Sequence, residues 1–203
     1  YYRSTRNFLE LARRCVLKCQ SVPGNQKKTW LQEIGRISAT YTTTLVQTGF
    51  CIMSFPLSGL IAAVCTPMHG DGSLNLDVIP RAVSQLVSDG VTGIYICGST
   101  GEGISLTCSE RKSVAEAFIT AARARLKTIV QVGHNSVSEA RDLARHAQAV
   151  GADAISSVPP SYFKMGSVDV LVRCMADIAA GAPDRPFYYY HIPTLSGHSY
   201  DMP

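Results

Sequence analysis

The sequence has few charged residues and no long apolar run. Only 17% of its 203 residues are charged, and none of the residues from 37 to 70 is Asp, Glu, Lys or Arg. The uncharged stretch 37–55 nevertheless contains only ten apolar residues among 19, whereas a membrane-spanning helix needs about 20 mainly apolar residues. The sequence therefore predicts a protein without a membrane span.

The sequence also lacks the cysteine patterns of metal sites and disulfide frameworks. Its seven cysteines are odd in number, and the close pair Cys15 and Cys19 has no second pair or histidine near it. A structural zinc site needs four ligands, so we predict no bound metal. Unpatterned cysteines are typical of a reducing compartment, which favours the cytoplasm.

Basic residues are concentrated at the start of the chain. Residues 1–52 contain eight Lys or Arg and two acidic residues, whereas residues 53–203 contain 11 basic and 13 acidic ones. A nucleic-acid-binding protein presents its basic residues on a folded face, so we predict no nucleic-acid partner. The start resembles a mitochondrial transit peptide only weakly. We interpret residues 1–52 as a basic N-terminal extension that is disordered or not native to the fold.

From residue 57 onward, apolar runs alternate with helical patterns in units of about 30 residues. Continuous apolar strands indicate burial on both faces, which is typical of a parallel sheet covered by helices. Both a doubly wound sheet and a (β/α)₈ barrel fit this α/β pattern. Strands are predicted at 60–66, 93–97, 128–133, 152–160 and 186–193, and helices at 76–90, 109–126, 136–151 and 167–181. The third helix is predicted to open with a capping box, Ser136-x-x-Glu139.

The unusual residues follow the strands, at the carboxyl ends where both folds bind ligands. The loop GSTGEG (98–103) has its glycines at spacings that fit neither the dinucleotide-binding nor the P-loop motif. Two alternatives remain for it: a glycine turn, or a nest of N–H groups and hydroxyls that binds a carboxylate. Tyr190 lies nearest the carboxyl end of the fifth strand, where a phenol can transfer protons or simply pack in the core.

Three motifs in order resemble one enzyme family. They are Thr-Pro at 66–67, GSTGE with the later Ser-Glu-Arg (109–111), and Tyr-His-Ile-Pro at 190–193. Over residues 57–203 the chain resembles the N-acetylneuraminate lyase/dihydrodipicolinate synthase family. The resemblance implies a (β/α)₈ TIM barrel, here a partial one of about strands one to five. It also implies a class I aldolase that binds pyruvate as a lysine Schiff base and needs no metal or cofactor.

The motifs are most similar to those of the N-acetylneuraminate lyases, a resemblance that implies reversible cleavage of a sialic acid, N-acetylneuraminate, to N-acetylmannosamine and pyruvate. It also implies a homotetramer at full length. Two alternatives stay open. The protein could be another pyruvate-dependent aldolase, such as one for hydroxyoxoglutarate, or a non-catalytic variant that pairs with full-length subunits.

The resemblance also implies roles for individual residues. Ser99 and Thr100 match the positions that bind the pyruvate carboxylate. Tyr190 matches the tyrosine that moves the proton during carbon–carbon cleavage. Tyr162 matches an aromatic residue that reaches into a neighbouring subunit, which would complete a relay from Tyr190 through Ser99. Glu102 would shape the turn.

The family's Schiff-base lysine lies on the sixth strand and has no match here. The last lysine in the sequence is Lys164, which follows the fourth predicted strand. A (β/α)₈ barrel typically takes about 250 residues. We therefore expect these 203 residues to be an incomplete or truncated product that is inactive on its own.

Overall fold

The computed structural model describes residues 57–200, so the predictions for residues 1–52, including the Cys15–Cys19 pair, lie outside it. The strands are β1 (Ile61–Ala63), β2 (Gly93–Ile96), β3 (Lys127–Gln131), β4 (Ala154–Ser157) and β5 (Phe187–Tyr189). The helices are α1 (Ile79–Ser88), α2 (Cys108–Ala122), α3 (Val137–Ala149), α4 (Val168–Ala179) and the short α5 (Pro193–Ser196). None of the helices in residues 57–200 is long and apolar enough to cross a membrane.

The strands form one parallel sheet in the order β1-β2-β3-β4-β5. A doubly wound sheet reverses its strand order at a switch point, whereas here each strand pairs with the next one in the chain. Helices α1 to α4 pack side by side in the same sequence. The order therefore excludes the doubly wound alternative and confirms a partial (β/α)₈ barrel.

The core lies between the helices and one face of the sheet. Ile96, Val130, Ile155 and Phe187 form one row across four strands, and all four are buried. Because successive strand residues point to opposite faces, Tyr95 belongs to the other face. Its row there continues through Ile129 and Ala154, and the next row carries Gln131, Ser156 and Tyr188. The face that corresponds to the barrel interior therefore mixes apolar side chains with polar and aromatic ones.

Hydroxyl side chains begin three of the helices. Thr107 and Glu110 form a complete capping box at α2. Ser136 caps α3 by accepting from the N–H of Glu139, but the reciprocal half of the predicted box is wrong. The N–H of Ser136 donates to Nδ1 of His134 instead, at 2.9 Å. Ser167 caps α4.

The regular elements are shorter than predicted at their carboxyl ends. The last residues of each predicted strand belong to loops, and the first predicted helix begins with a 3₁₀ turn, Leu76–Val78, ahead of α1. The helix α5 was not predicted; it follows β5 after three residues and is capped by Gly197, whose φ is +66°. These loops and α5 build the edge of the sheet at which the site residues lie.

Candidate functional site

The loop 98–103 is held by the close approach of its glycines to neighbouring atoms. A Cβ on Gly98 would lie 2.6 Å from two ring carbons of Tyr95, and one on Gly101 would lie 2.8 Å from the carbonyl oxygen of Val64. A Cβ on Gly103 would lie 2.0 Å from the carbonyl oxygen of Cys97. Real Cβ atoms do not approach so closely, so the three glycines are needed for space.

The same loop is a hydrogen-bonded turn. The N–H of Glu102 donates to the carbonyl of Ser99, and that of Gly103 to the carbonyl of Gly98, both at 3.1 Å. The hydroxyl of Thr66 donates to the carbonyl of Gly101 at 2.6 Å, which joins the Thr-Pro motif to the loop. Glu102 has a φ of +51°, so its backbone bends the turn.

Ser99 and Thr100 are exposed at the tip of this turn. Within residues 57–200, no hydrogen bond is formed by either hydroxyl or by the backbone N–H of either residue. Two hydroxyls and two N–H groups are therefore free to donate to a bound carboxylate. The loop can therefore be both a glycine turn and a carboxylate-binding site, because the hydrogen bonds of the turn do not use the N–H and hydroxyl groups of Ser99 and Thr100.

Tyr95 connects the loop to the fifth strand, a role that sequence reasoning missed. Its ring lies under Gly98 and makes an edge-to-face contact with Tyr190, with centroids 5.6 Å apart and planes at 77°. Its hydroxyl donates to Oγ of Ser156 at 3.0 Å, and burial raises its pKa. The signal in the sequence was a lone tyrosine in the aliphatic run GIYIC.

Of the three tyrosines at 188–190, Tyr190 packs against the ring of Tyr95, and that ring in turn lies next to Gly98 of the loop. The N–H of Tyr190 donates to the carbonyl of Ser157 at 2.9 Å, which extends the pairing of β4 with β5. Tyr189 lies on the other side of the strand, where its hydroxyl is 3.4 Å from Nδ1 of His191. Tyr190 and the GSTGEG loop thus both lie against the ring of Tyr95.

Tyr162 is not brought to Ser99 or Tyr190 by any contact in the described part of this single chain. It is 78% exposed, and its ring packs edge-to-face on Phe163, which is 80% exposed, with centroids 4.9 Å apart. The aromatic pair points outward from the loop between β4 and α4.

Each of the three lysines in residues 57–200 has a hydrogen-bond or ion-pair partner within this segment. Lys112 is paired with Asp142, and Lys127 with Asp153. Nζ of Lys164 donates to the carbonyl of Ser161 at 2.7 Å. Residues 57–200 also contain no group of three or more His, Cys, Asp or Glu side chains that could hold a metal ion.

Arg111, in the Ser-Glu-Arg motif, is a buried arginine that holds the neighbouring loop. It is 2% exposed. Its terminal nitrogens donate to the carbonyl of Gly133 at 2.9 Å, and to the carbonyl and side-chain oxygens of Gln131 at 2.7 and 2.6 Å. Burial lowers its pKa. The motif gave no sign of this role, because a charged helix residue normally faces solvent.

Comparison with known proteins supports the same family. The sequence profile of the dihydrodipicolinate synthetase family matches residues 56–202. N-acetylneuraminate lyase A of Xenopus laevis is 47% identical over 148 residues, which cover 72% of this chain and 48% of that protein. The solved N-acetylneuraminate lyase of Proteus mirabilis is 46% identical with a TM-score of 0.69, covering 71% of this chain and 49% of that one.

A solved catalytic lysine mutant of the Ruminococcus gnavus sialic acid aldolase is 33% identical, with a TM-score of 0.66. The match covers 70% of this chain and 46% of that one. The chain therefore spans about half the length of the relatives it matches.

Proposed function

The chain belongs to the dihydrodipicolinate synthetase family, and we propose that it contributes the pyruvate-binding and proton-transfer half of an N-acetylneuraminate lyase-type aldolase site. The reaction is the reversible cleavage of N-acetylneuraminate to N-acetylmannosamine and pyruvate. The observation that carries the proposal is that the GSTGEG loop and Tyr190 both lie against the ring of Tyr95.

In this proposal Ser99 and Thr100 bind the carboxylate of the 2-oxo acid. Their four donors are unused within residues 57–200, and hydrogen bonds from neutral donors to an ionised carboxylate are stronger than those to neutral acceptors. The glycines fix the loop by close contacts, so the donors are in place before a ligand arrives. Such preorganisation lowers the entropic cost of binding.

Carbon–carbon cleavage requires an electron sink and a base. The sink is a protonated imine between the ketone carbon and a lysine, which we propose is supplied by a segment outside these 203 residues. Tyr190 then accepts the proton of the C4 hydroxyl, directly or through the substrate carboxylate, as the C3–C4 bond breaks. The electron pair of that bond moves into the imine, so the reaction needs no metal or cofactor.

Tyr162 is proposed to act in a neighbouring subunit of a homotetramer. Its exposure and outward direction support this role, because a phenol that completes a relay across an interface must project from its own chain. We further propose that residues 57–203 form the N-terminal part of the barrel, that residues 1–52 are an extension outside it, and that the protein acts in the cytoplasm.

The test uses a chimera, because the chain spans about half of its relatives. Residues 57–203 are joined to the part of the Proteus mirabilis lyase that they do not match. Borohydride treatment with pyruvate then traps the imine, and cleavage of N-acetylneuraminate is assayed separately. We expect a covalent pyruvate adduct and lyase turnover from the chimera. We expect no adduct from the 203-residue chain alone.

Tyr190→Phe in the chimera tests proton transfer. A general base contributes about 10² to 10⁴-fold to a rate, so turnover should fall by about that factor while the pyruvate adduct still forms. Tyr189→Phe is the matched control, because Tyr189 lies on the other side of the same strand. Near-normal turnover in the Tyr190→Phe chimera would refute the role of this residue.

A further inference from the structure

The loop 158–166, between β4 and α4, carries the exposed pair Tyr162 and Phe163 on a backbone that is fixed from two directions. Two prolines, Pro159 and Pro160, restrict its first residues. Pro159 is fully buried, whereas the two aromatic side chains are about four-fifths exposed. An exposed aromatic pair gains little from packing in its own chain, so its placement depends on what holds the backbone.

Asn135, in the loop after β3, holds the backbone immediately at Tyr162. Its Oδ1 accepts from the N–H of Ser161 at 2.9 Å and from the N–H of Tyr162 at 3.2 Å. An amide nitrogen in this place would face two donors, so the oxygen is the only side-chain atom that fits. The Ser161 hydroxyl is a third and longer donor to the same oxygen, at 3.5 Å. The two shorter bonds, from the backbone N–H groups, fix two consecutive peptide units.

The segment 196–200, which begins at the last residue of α5, also holds the loop 158–166. His198 is 3% exposed, and its Nε2–H donates to the carbonyl of Pro160 at 2.9 Å. The hydroxyl of Tyr200 donates to the carbonyl of Met165 at 3.1 Å, and its ring stacks on that of His198 with planes at 13°. Nζ of Lys164 donates to the carbonyl of Ser196 at 2.9 Å.

We propose that Asn135 and His198 are positioning residues that hold Tyr162 in place within a single chain, before any neighbouring subunit is present. Asn135 accepts hydrogen bonds from the N–H groups of Ser161 and Tyr162. His198 donates one to the carbonyl of Pro160, two residues before Tyr162. Together they join the loops after β3, β4 and β5, so that Tyr162 keeps a fixed relation to the strand that carries Tyr190. The role of Tyr162 in a neighbouring subunit's site rests on the proposed function, whereas the positioning of Tyr162 by Asn135 and His198 does not.

Hydrogen exchange of single backbone amides in the 203-residue chain, followed by NMR, tests the role of Asn135. Asn135→Leu has a similar volume and no acceptor, whereas Asn135→Asp keeps an oxygen that can accept from both N–H groups. Loss of one such bond should speed exchange at Ser161 and Tyr162 about tenfold. Asn135→Leu should show this increase and Asn135→Asp should not. Equal exchange at both amides in the two variants would overturn the proposal.

A second pair of variants keeps the test independent of any single substitution. His198→Phe keeps a ring that can stack on Tyr200 and removes the donor, whereas His198→Gln keeps an N–H donor. The amides of residues 161–166 in the loop 158–166 should exchange faster in His198→Phe and regain their protection in His198→Gln, while the amides of β3 stay unchanged. Failure of His198→Gln to restore protection, or equal acceleration in β3, would overturn the role of His198.

The pyruvate adduct of the chimera is a separate readout. Within residues 57–200, no hydrogen bond joins Asn135 or His198 to Ser99, Thr100 or Tyr190. A chimera that forms no adduct would therefore contradict the proposed function and leave the exchange results as they are. Unaltered exchange in the variants would contradict the positioning proposal alone.

Discussion

Arg111→Met should destabilise the fold by about 3 kcal/mol. Methionine keeps an apolar stem but removes the donors to two buried backbone carbonyls, those of Gln131 and Gly133. A buried carbonyl that loses its donor costs about 1–3 kcal/mol. Within residues 57–200 the hydrogen-bond acceptors of the guanidinium are all carbonyl oxygens, two of the backbone and one of the Gln131 side chain. Its removal therefore leaves no buried charge of this segment unpaired. Relief of its own desolvation offsets part of the loss.

The measurement is urea denaturation of the 203-residue chain, followed by circular dichroism. A loss of about 3 kcal/mol is a large fraction of the 5–15 kcal/mol of a typical domain. Arg145→Met is the matched control: its side chain is 62% exposed and forms a surface ion pair with Asp142, which contributes about 0–1 kcal/mol. If the two variants unfold at the same urea concentration, the interpretation of Arg111 as a buried clamp is wrong.

Two further changes test the packing and the electrostatics of the site. Gly103→Ala should destabilise the chain by at least about 1–3 kcal/mol, because its Cβ would lie 2.0 Å from the Cys97 carbonyl, whereas a Cβ on Gly166 meets open space. Equal thermal midpoints for Gly103→Ala and Gly166→Ala would contradict this. Burial raises the pKa of the Cys97 thiol from 9.0 to about 11. Between these values the unfolded chain loses a proton that the folded chain keeps, so the free energy of unfolding falls as pH rises. Urea titrations at several pH values should show that the free energy of unfolding falls less steeply with pH in Cys97→Ala than in the unaltered chain. Equal slopes in the two proteins would contradict this expectation.

The fold could be predicted from periodicity because continuous apolar strands and amphipathic helices alternate along the chain. The sequence pattern does not distinguish a doubly wound sheet from a (β/α)₈ barrel, because it does not say which edge of the sheet each new strand joins. Strand ends were predicted too long because apolar residues such as Val132 are buried in loops as well as in strands. The capping box at Ser136 was half wrong because His134 accepts the N–H that Glu139 was expected to take.

The site could be predicted only in part. The motif marked GSTGEG as a loop of interest, but the reason for its glycines lies in atoms that folding brings near, such as the ring of Tyr95 and the carbonyl of Cys97. Tyr95 and Arg111 were missed for a related reason. Each acts through partners distant in sequence, Ser156 and Gly133, and a single sequence does not show such pairs.

Borohydride trapping of pyruvate on the chimera tests whether the GSTGEG loop binds the pyruvate carboxylate, with a variant in which Ser99 and Thr100 are both replaced by alanine as the comparison. We expect a covalent adduct on the intact chimera. We also expect a marked loss of adduct at low pyruvate concentration when both hydroxyls are removed. A folded chimera that forms no adduct, or one whose adduct formation is indifferent to both hydroxyls, would contradict the assignment of this loop to the pyruvate carboxylate.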